Sequence, residues 1–417
     1  MPACGLDFGT SNSALGVVQG GVPVLAPVEG DATLIPSAIF FDFETHGRVL
    51  YGRAAVDAYI GQHDGRLMRA LKTVLGSSLM DEKTAVGRKR IALTEVVEMF
   101  IRHLKNCAED FAGCAIDQVV HGRPVRFTEH DDQAERRAES VLEDIARRAG
   151  FRDVVFVYEP IAAAFHYEET VTREELVLVA DIGGGTSDFS VIRVGPERRA
   201  EVDRRDDILA NAGIRVGGTD FDRFLNIDAV MPLLGLGTQL ITKDLPMPGA
   251  LYYELATWAT INFAYTQRNE REVAELVADS RAPDKTVRLL HTLRKRLGHR
   301  IAFAVEDAKI ALSEEMQTTI PLDFLERRLS AETSQTAFDR AIADKTRKLR
   351  EIAGQCIADA GVRPDQIHTV FITGGSSRVP AVREALSLAA PTARMTSGSD
   401  LLSVAYGLTR EAERRFR

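Results

Sequence analysis

A short glycine-rich phrase occurs twice in this 417-residue chain. It reads Asp7-Phe8-Gly9-Thr10-Ser11-Asn12-Ser13 near the start and Asp181-Ile182-Gly183-Gly184-Gly185-Thr186-Ser187-Asp188 in the middle. Apolar runs flank each copy: Ala14 to Val18 follow the first, and Leu176 to Ala180 and Phe189 to Val194 bracket the second. Apolar run, glycine-rich tip, apolar run predicts a β-hairpin. Glycine lets backbone N–H groups come close to a phosphate, and the Thr and Ser hydroxyls add donors. The Asp of each copy can hold a hydrated metal ion. One copy alone reads most simply as a tight turn capped by its Asp. Recurrence, with a third glycine-rich tip at Gly374-Gly375, points instead to paired hairpins clamping one nucleotide between two lobes.

The elements between the tips alternate in type. Residues 4–18 read as the first hairpin, 22–28 and 34–41 as strands, and 52–75 as a helical pattern punctuated by Gly61 and Gly65. Val96, Val97, Phe100, Ile101 and Leu104 share one face of a helix over 94–111, with Thr94 as its N-cap. A strand at 118–121, a charged helix over 131–149 ended by Gly150, a strand at 154–158 and a small-residue helix from Ile161 to Phe165 follow. The second hairpin restarts the programme, which sets a lobe boundary near residue 172. Residues 219–345 read as mostly helical, 346–361 as a helix ended by Gly361, 369–373 as a strand, and 401–416 as a closing helix. Alternating strands and helices predict α/β architecture.

Bulk properties narrow the partners. The net charge of -8 argues against a general nucleic-acid or anionic-membrane surface. The four cysteines, Cys4, Cys107, Cys114 and Cys356, form no C-x-x-C pair, so buried free thiols in a reducing cytoplasm are expected rather than zinc or disulfides. Asp7 interrupts any N-terminal apolar stretch, so no signal peptide is expected, and no segment is long and apolar enough for a membrane span. Trp258 reads as core, with a partner anchor as the alternative, and Arg294-Lys295-Arg296 reads as a solvated face.

The motifs, taken together, resemble the DnaK-type heat-shock 70 chaperones. Gly5 to Ser13 resembles their first phosphate motif, Glu159-Pro160-Ile161-Ala162-Ala163-Ala164 their interlobe motif, and Asp181 to Asp188 their second phosphate motif. Gly217-Gly218-Thr219-Asp220-Phe221-Asp222 follows in order. Glu306 to Ser313 resembles the adenosine-contacting helix, and Thr373 to Pro380 the second adenosine motif. The resemblance implies an actin-like ATPase fold: two duplicated ribonuclease H-like lobes, with ATP or ADP and Mg2+ in the cleft. Lobe I would span 1–172 with an outer subdomain near 36–114, and lobe II 173–417 with an enlarged helical outer subdomain near 219–340.

The same resemblance distributes the roles. Asp7 and Asp181 would hold the magnesium through waters, with Asp188 assisting. Glu159 would orient or deprotonate the attacking water, unless it merely caps the helix that Pro160 opens. Gly9, Thr10, Ser11, Asn12, Gly183, Gly184, Gly185 and Thr186 would cradle the phosphates, with Thr186 counted among the catalytic groups. Gly217, Gly218, Glu306, Lys309, Ser313, Gly374, Gly375, Ser376 and Arg378 would line the nucleoside pocket. Arg378 would stack over the base. Lys309 and Arg378 have surface readings as alternatives.

Departures from the family pattern shape the functional expectation. Gly52-Arg53-Ala54-Ala55-Val56 places Val56 where a catalytic lysine is expected, with Arg53, Arg69 and Lys72 as substitute cations. A missing donor to the transferred phosphoryl group costs on the order of a hundredfold in rate, so slow or absent hydrolysis is expected. Ile310 stands in place of an arginine on the adenosine helix. The sequence offers no counterpart of the peptide-binding domain and lid, and the stretch from Gly218 to Glu306 is longer than the family pattern. These features are similar to the short bacterial relatives of the YegD type. The expectation is an ATP-binding, chaperone-like two-lobe switch, cytoplasmic, read by a partner protein through lobe II or the lobe interface. A pseudo-ATPase scaffold and a small-molecule kinase of the same superfold are the alternatives.

Overall fold

The computed structural model describes every residue except 1–2, 46, 88, 129–130, 202–203, 243, 399–401 and 417. Its contacts divide the chain into two compact units. The first gathers Met1–Gly217, Arg347–Ser377 and Val382–Arg417; the second holds Gly218–Thr346 with Arg378–Ala381.

Both glycine-rich phrases form hairpins, and both lie in the first unit. Ala3–Phe8 pairs antiparallel with Asn12–Gln19, and Asp7 faces Ala14. Glu175–Ile182 pairs antiparallel with Ser187–Val194, and Asp181 faces Asp188. Around each hairpin a sheet of the same plan grows. In the first, Ala3–Phe8 continues through parallel strands Gln118–Arg123 and Asp153–Tyr158, while Val22–Leu25 extends the other edge. In the second, Glu175–Ile182 continues through parallel strands Thr369–Thr373 and Arg394–Ser397, while Ile208–Ile214 extends the other edge. Parallel strands are usually covered on both faces and so carry long apolar runs, as Leu176 to Ala180 does here.

Two helices, Glu159–Glu168 and Ser403–Arg415, pack against each other and contribute to one core with strands of both sheets. That core joins Ala3, Val120, Val177, Val179, Ile192 and Phe371 to Ala162, Ala163, Ala164, Val404 and Leu408. Small side chains set the spacing. A Cβ on Gly407 would lie 1.8 Å from the carbonyl oxygen of Ala162, so only glycine fits at the crossing.

Several elements differ from the sequence expectation. The helical pattern over 52–75 stops at Ile60. Gly65–Arg69 is a strand on Ala38–Asp42, and Leu71–Val74 is a single 3-10 turn. The apolar spacing of a short helix and of a strand cannot be told apart over so few residues. The helix over 94–111 runs from Leu93 to Ala112 and its N-cap is Ala92, not Thr94. The helix expected at 346–361 begins at Gln335 and runs to Asp359. The closing helix runs Ser403–Arg415, and its expected start at Leu401 lies outside the described residues.

The second unit is helical as expected, but it also holds the hairpin Gln317–Pro321 with Ser330–Ser334. Trp258 is core there: its indole N–H donates to Asp222 at 3.0 Å and its ring meets Phe303 edge-on. The cysteines are unpaired, but only Cys4 and Cys356 are buried; Cys114 is exposed.

Replacing Gly407 with Ala forces the two helices apart. We expect a loss of about 3 kcal/mol or more. Urea unfolding should show a lower midpoint with an unchanged slope.

Candidate functional site

The first unit brings the two hairpin tips together. A Cβ on Gly184 would sit 2.3 Å from the Ser11 hydroxyl, and one on Gly185 would sit 2.8 Å from the Thr10 hydroxyl. The first tip is braced by Ser37, whose hydroxyl donates to the Gly9 carbonyl at 2.7 Å and lies 2.8 Å from the Ser13 hydroxyl. The second is closed by Gly183 N–H donating to the Thr186 carbonyl at 2.9 Å. The Ser376 hydroxyl donates to the Gly183 carbonyl at 3.0 Å, which places the third glycine-rich tip beside the second.

Behind the tips lies a cluster of acids. Asp7 and Asp181 end the first strands of their hairpins, Asp188 lies opposite Asp181, and Glu159 opens the helix that separates them in sequence. Glu159, Asp181 and Asp188 are buried. Glu159 is the first residue of that helix, whose N-cap is Tyr158, and its carboxylate forms a buried ion pair with Lys72. Gly122 leaves room for it, since a Cβ there would lie 3.2 Å from Glu159 Cγ. The Asp188 Oδ1 accepts from the Val125 N–H at 2.6 Å, while its Oδ2 is buried without a hydrogen-bond partner.

The charges in this cluster oppose one another. Burial, then the negative charges of Glu159 and Asp181, hold the Asp188 carboxyl well above the usual range. Burial and Glu159 do the same to Asp7, with Lys72 working against them. Asp181 is pushed up to about 7 by burial and by Glu159. Burial alone would lower Lys72, but Glu159 and then Asp7 more than offset it, and its ammonium holds its proton more tightly than usual. An excess of buried carboxylate over cation is an environment that suits a divalent ion. Among the described residues no three acidic, His or Cys side chains converge closely enough to hold a metal directly. Magnesium, which keeps several waters, fits such a site through its water shell, and the orphaned Asp188 Oδ2 offers an acceptor for that shell.

Lys72 corrects the expectation built on Val56. Val56 is a half-buried residue of the helix Gly52–Ile60, and Arg53 lies on the surface, 2.6 Å from Glu29. The cation at the acidic cluster comes instead from the 3-10 turn Leu71–Val74. Arg215 is a second cation that the sequence reading missed. Its guanidinium donates to the Thr73 carbonyl at 2.6 Å, and it lines one small cavity with Thr10, Lys72, Gly185 and Thr186. Both residues carry the same signal in sequence, a charge set among buried apolar neighbours: Leu71 and Val74 around one, Ile214 and Val216 around the other.

Of the residues expected at a nucleoside, Gly217, Gly374, Gly375 and Ser376 lie in the first unit. Gly217 packs on the backbone of Gly184 and Gly185. Gly218, Glu306, Lys309, Ser313 and Arg378 lie in the second. Lys309 is no surface lysine: it is buried, 2.7 Å from Asp222 and 3.5 Å from the Gly218 carbonyl. The Ser313 hydroxyl turns back to the Lys309 carbonyl at 3.3 Å. Arg378 and Ile310 are exposed.

Two sheets of matching plan, each carrying a glycine-rich hairpin with acids at its base, define an α/β protein of the actin-like ATPase fold. The family model described as Hsp70 protein matches residues 3–230 and 279–408, and the chain belongs to the Hsp70 family. It is thus an ATP-binding protein of the Hsp70/actin superfamily. Among the described residues no helix is long and apolar enough to cross a membrane.

The Asp181 shift gives stability a pH dependence of defined sign. Its folded value of about 7 lies above the ordinary 3.8, so folding favours the protonated carboxyl. That contribution is complete in acid and is lost as pH rises through the interval between the two values. In metal-free buffer the melting temperature should fall from about pH 4 to about pH 7, and Asp181→Asn should flatten the fall. A slope that the variant leaves unchanged would exclude Asp181 as its source.

Proposed function

We propose that this protein binds ATP with magnesium at the acidic cluster of the first unit and hydrolyses it, using nucleotide state as a switch that a partner protein reads. The observation that carries this reading is the buried Lys72–Glu159 pair beside Asp7 and Asp181, behind two adjoining hairpin tips. Asp7, Asp181 and Asp188 would hold the hydrated ion, which when bound neutralises charge on the phosphates. Gly9, Thr10, Ser11, Asn12, Gly183, Gly184, Gly185 and Thr186 would cradle those phosphates with backbone and hydroxyl donors. Glu159, held by Lys72, would orient the attacking water. Lys72 would also face the charge that develops on the transferred group. The nucleoside would fall to Gly217, Gly218, Glu306, Lys309, Ser313, Gly374, Gly375, Ser376 and Arg378, with Asp222 fixing Lys309.

With Lys72 in the cluster, the ground for expecting slow or absent turnover at Val56 is gone, and with it the main support for a pseudo-ATPase. The family match skips 231–278, inside the stretch whose length suggested an enlarged second unit. A partner protein would read the nucleotide state through lobe II or the lobe interface. Cytoplasmic residence belongs to the same proposal.

Single-turnover hydrolysis of radiolabelled ATP with magnesium tests the reading. Lys72→Ala and Asp181→Asn should each slow it by about a hundredfold or more, while Lys72→Ala still binds ATP. ATP bound yet intact in the unmutated protein would make it a scaffold instead. No binding at all would remove the nucleotide reading.

A further inference from the structure

Arg215 has no place in the motifs that identify the family site, yet it stands at that site. It follows the edge strand Ile208–Ile214 and precedes Gly217. Its backbone is anchored to the second hairpin on both sides. Ile214 pairs with Ser187, and the Ser187 hydroxyl donates to the Val216 carbonyl at 2.6 Å. Gly217 then packs on the Gly184–Gly185 backbone. From this fixed base the guanidinium reaches across to the segment that carries Lys72. It donates to the Thr73 carbonyl at 2.6 Å and approaches the Gly76 carbonyl at 3.5 Å.

The cavity that Arg215 lines with Lys72, Thr10, Thr73, Gly185 and Thr186 measures about 10 Å³. That is room for about one water-sized group, such as a single phosphoryl oxygen. Two cations, three Thr residues and a glycine-tip backbone line it, beside Leu75, Pro124 and Phe127. This is the donor set expected around the oxygen of a doubly charged terminal phosphate, for which a planar guanidinium is well suited. We propose that Arg215 contacts the terminal phosphate of a bound nucleoside triphosphate, and that its grip on the Thr73 carbonyl ties this contact to the placement of Lys72. Arg215 thereby sets the preference for triphosphate over diphosphate. The inference rests on the nucleotide reading above.

Affinities for ADP and for the imido-bridged ATP analogue, both with magnesium, can be measured by titration calorimetry. Arg215→Ala should weaken the triphosphate by about tenfold or more, the usual loss for a hydrogen bond to a charged group, and change ADP less than about twofold. Arg215→Lys, which keeps the charge but not the fork, should fall between. Retained ADP binding shows that the variants are folded. In a Lys72→Ala background, Arg215→Ala should still weaken the triphosphate. An equal change in both ligands, or none, overturns the proposal and leaves the nucleotide reading intact. No further loss in the Lys72→Ala background shows that Arg215 acts only through Lys72, and so overturns the direct contact. Failure of the unmutated protein to bind either ligand overturns both readings.

Discussion

The candidate nucleotide site of this chain leans on one close crossing of helices. Gly407 meets the backbone of Ala162 with no space for a side-chain carbon, and the alanines of Glu159–Glu168 keep the rest of that helix thin. Because the helix cannot shift without opening this contact, its first residue is fixed too. That residue is Glu159. The carboxylate is therefore placed by packing less than one turn away as well as by its ion pair with Lys72, and Gly122 completes the space it occupies. The same core holds Val120 of one sheet and Val177 of the other, so both hairpins take their positions from it.

The acidic cluster is stabilised less well than the core around it. Asp181 faces Asp188 directly across the strand pair, an arrangement of like charges that costs stability in an ordinary sheet. Lys72 offsets part of the repulsion, and removing a partner from a buried ion pair usually costs about 3–5 kcal/mol because a lone charge stays behind. The raised values of Asp7, Asp181 and Asp188 record what is left over. Strain of this kind persists where the surroundings over-determine the geometry, and it is relieved by a cationic ligand.

Much of this arrangement is legible in the residues themselves. The hairpins follow from glycine tips between apolar runs, and their repetition foretells two sheets of one plan. Glu159 is marked by its position after a strand and before Pro160. Lys72 was harder because the spacing over 52–75 suits a helix. Only the pairing of Gly65–Arg69 with Ala38–Asp42 turns the chain so that the next turn delivers its lysine inward. That pairing joins residues far apart along the chain, and no local pattern encodes it. The role of Asp222 escaped for the same reason, since its partners Trp258 and Lys309 lie far along the chain.

The loop after Gln118–Arg123 shows how such distant contacts reach the site. Arg123 is buried and paired with Glu135 and Glu139 of the helix Asp132–Ala149, and its guanidinium lies over the rings of Phe127 and Tyr158. The other oxygen of Glu135 accepts from the N–H groups of Phe127 at 2.7 Å and Thr128 at 3.1 Å. One ion pair thus clamps both ends of a short loop. In the middle of that loop Val125 turns its N–H to Asp188. A carboxylate held by a backbone donor cannot swing to follow a proton or a wandering cation. One oxygen of Asp188 is so engaged. A site for a hydrated ion requires this of its protein ligands: acceptors held still, with the ion's own waters left to adjust.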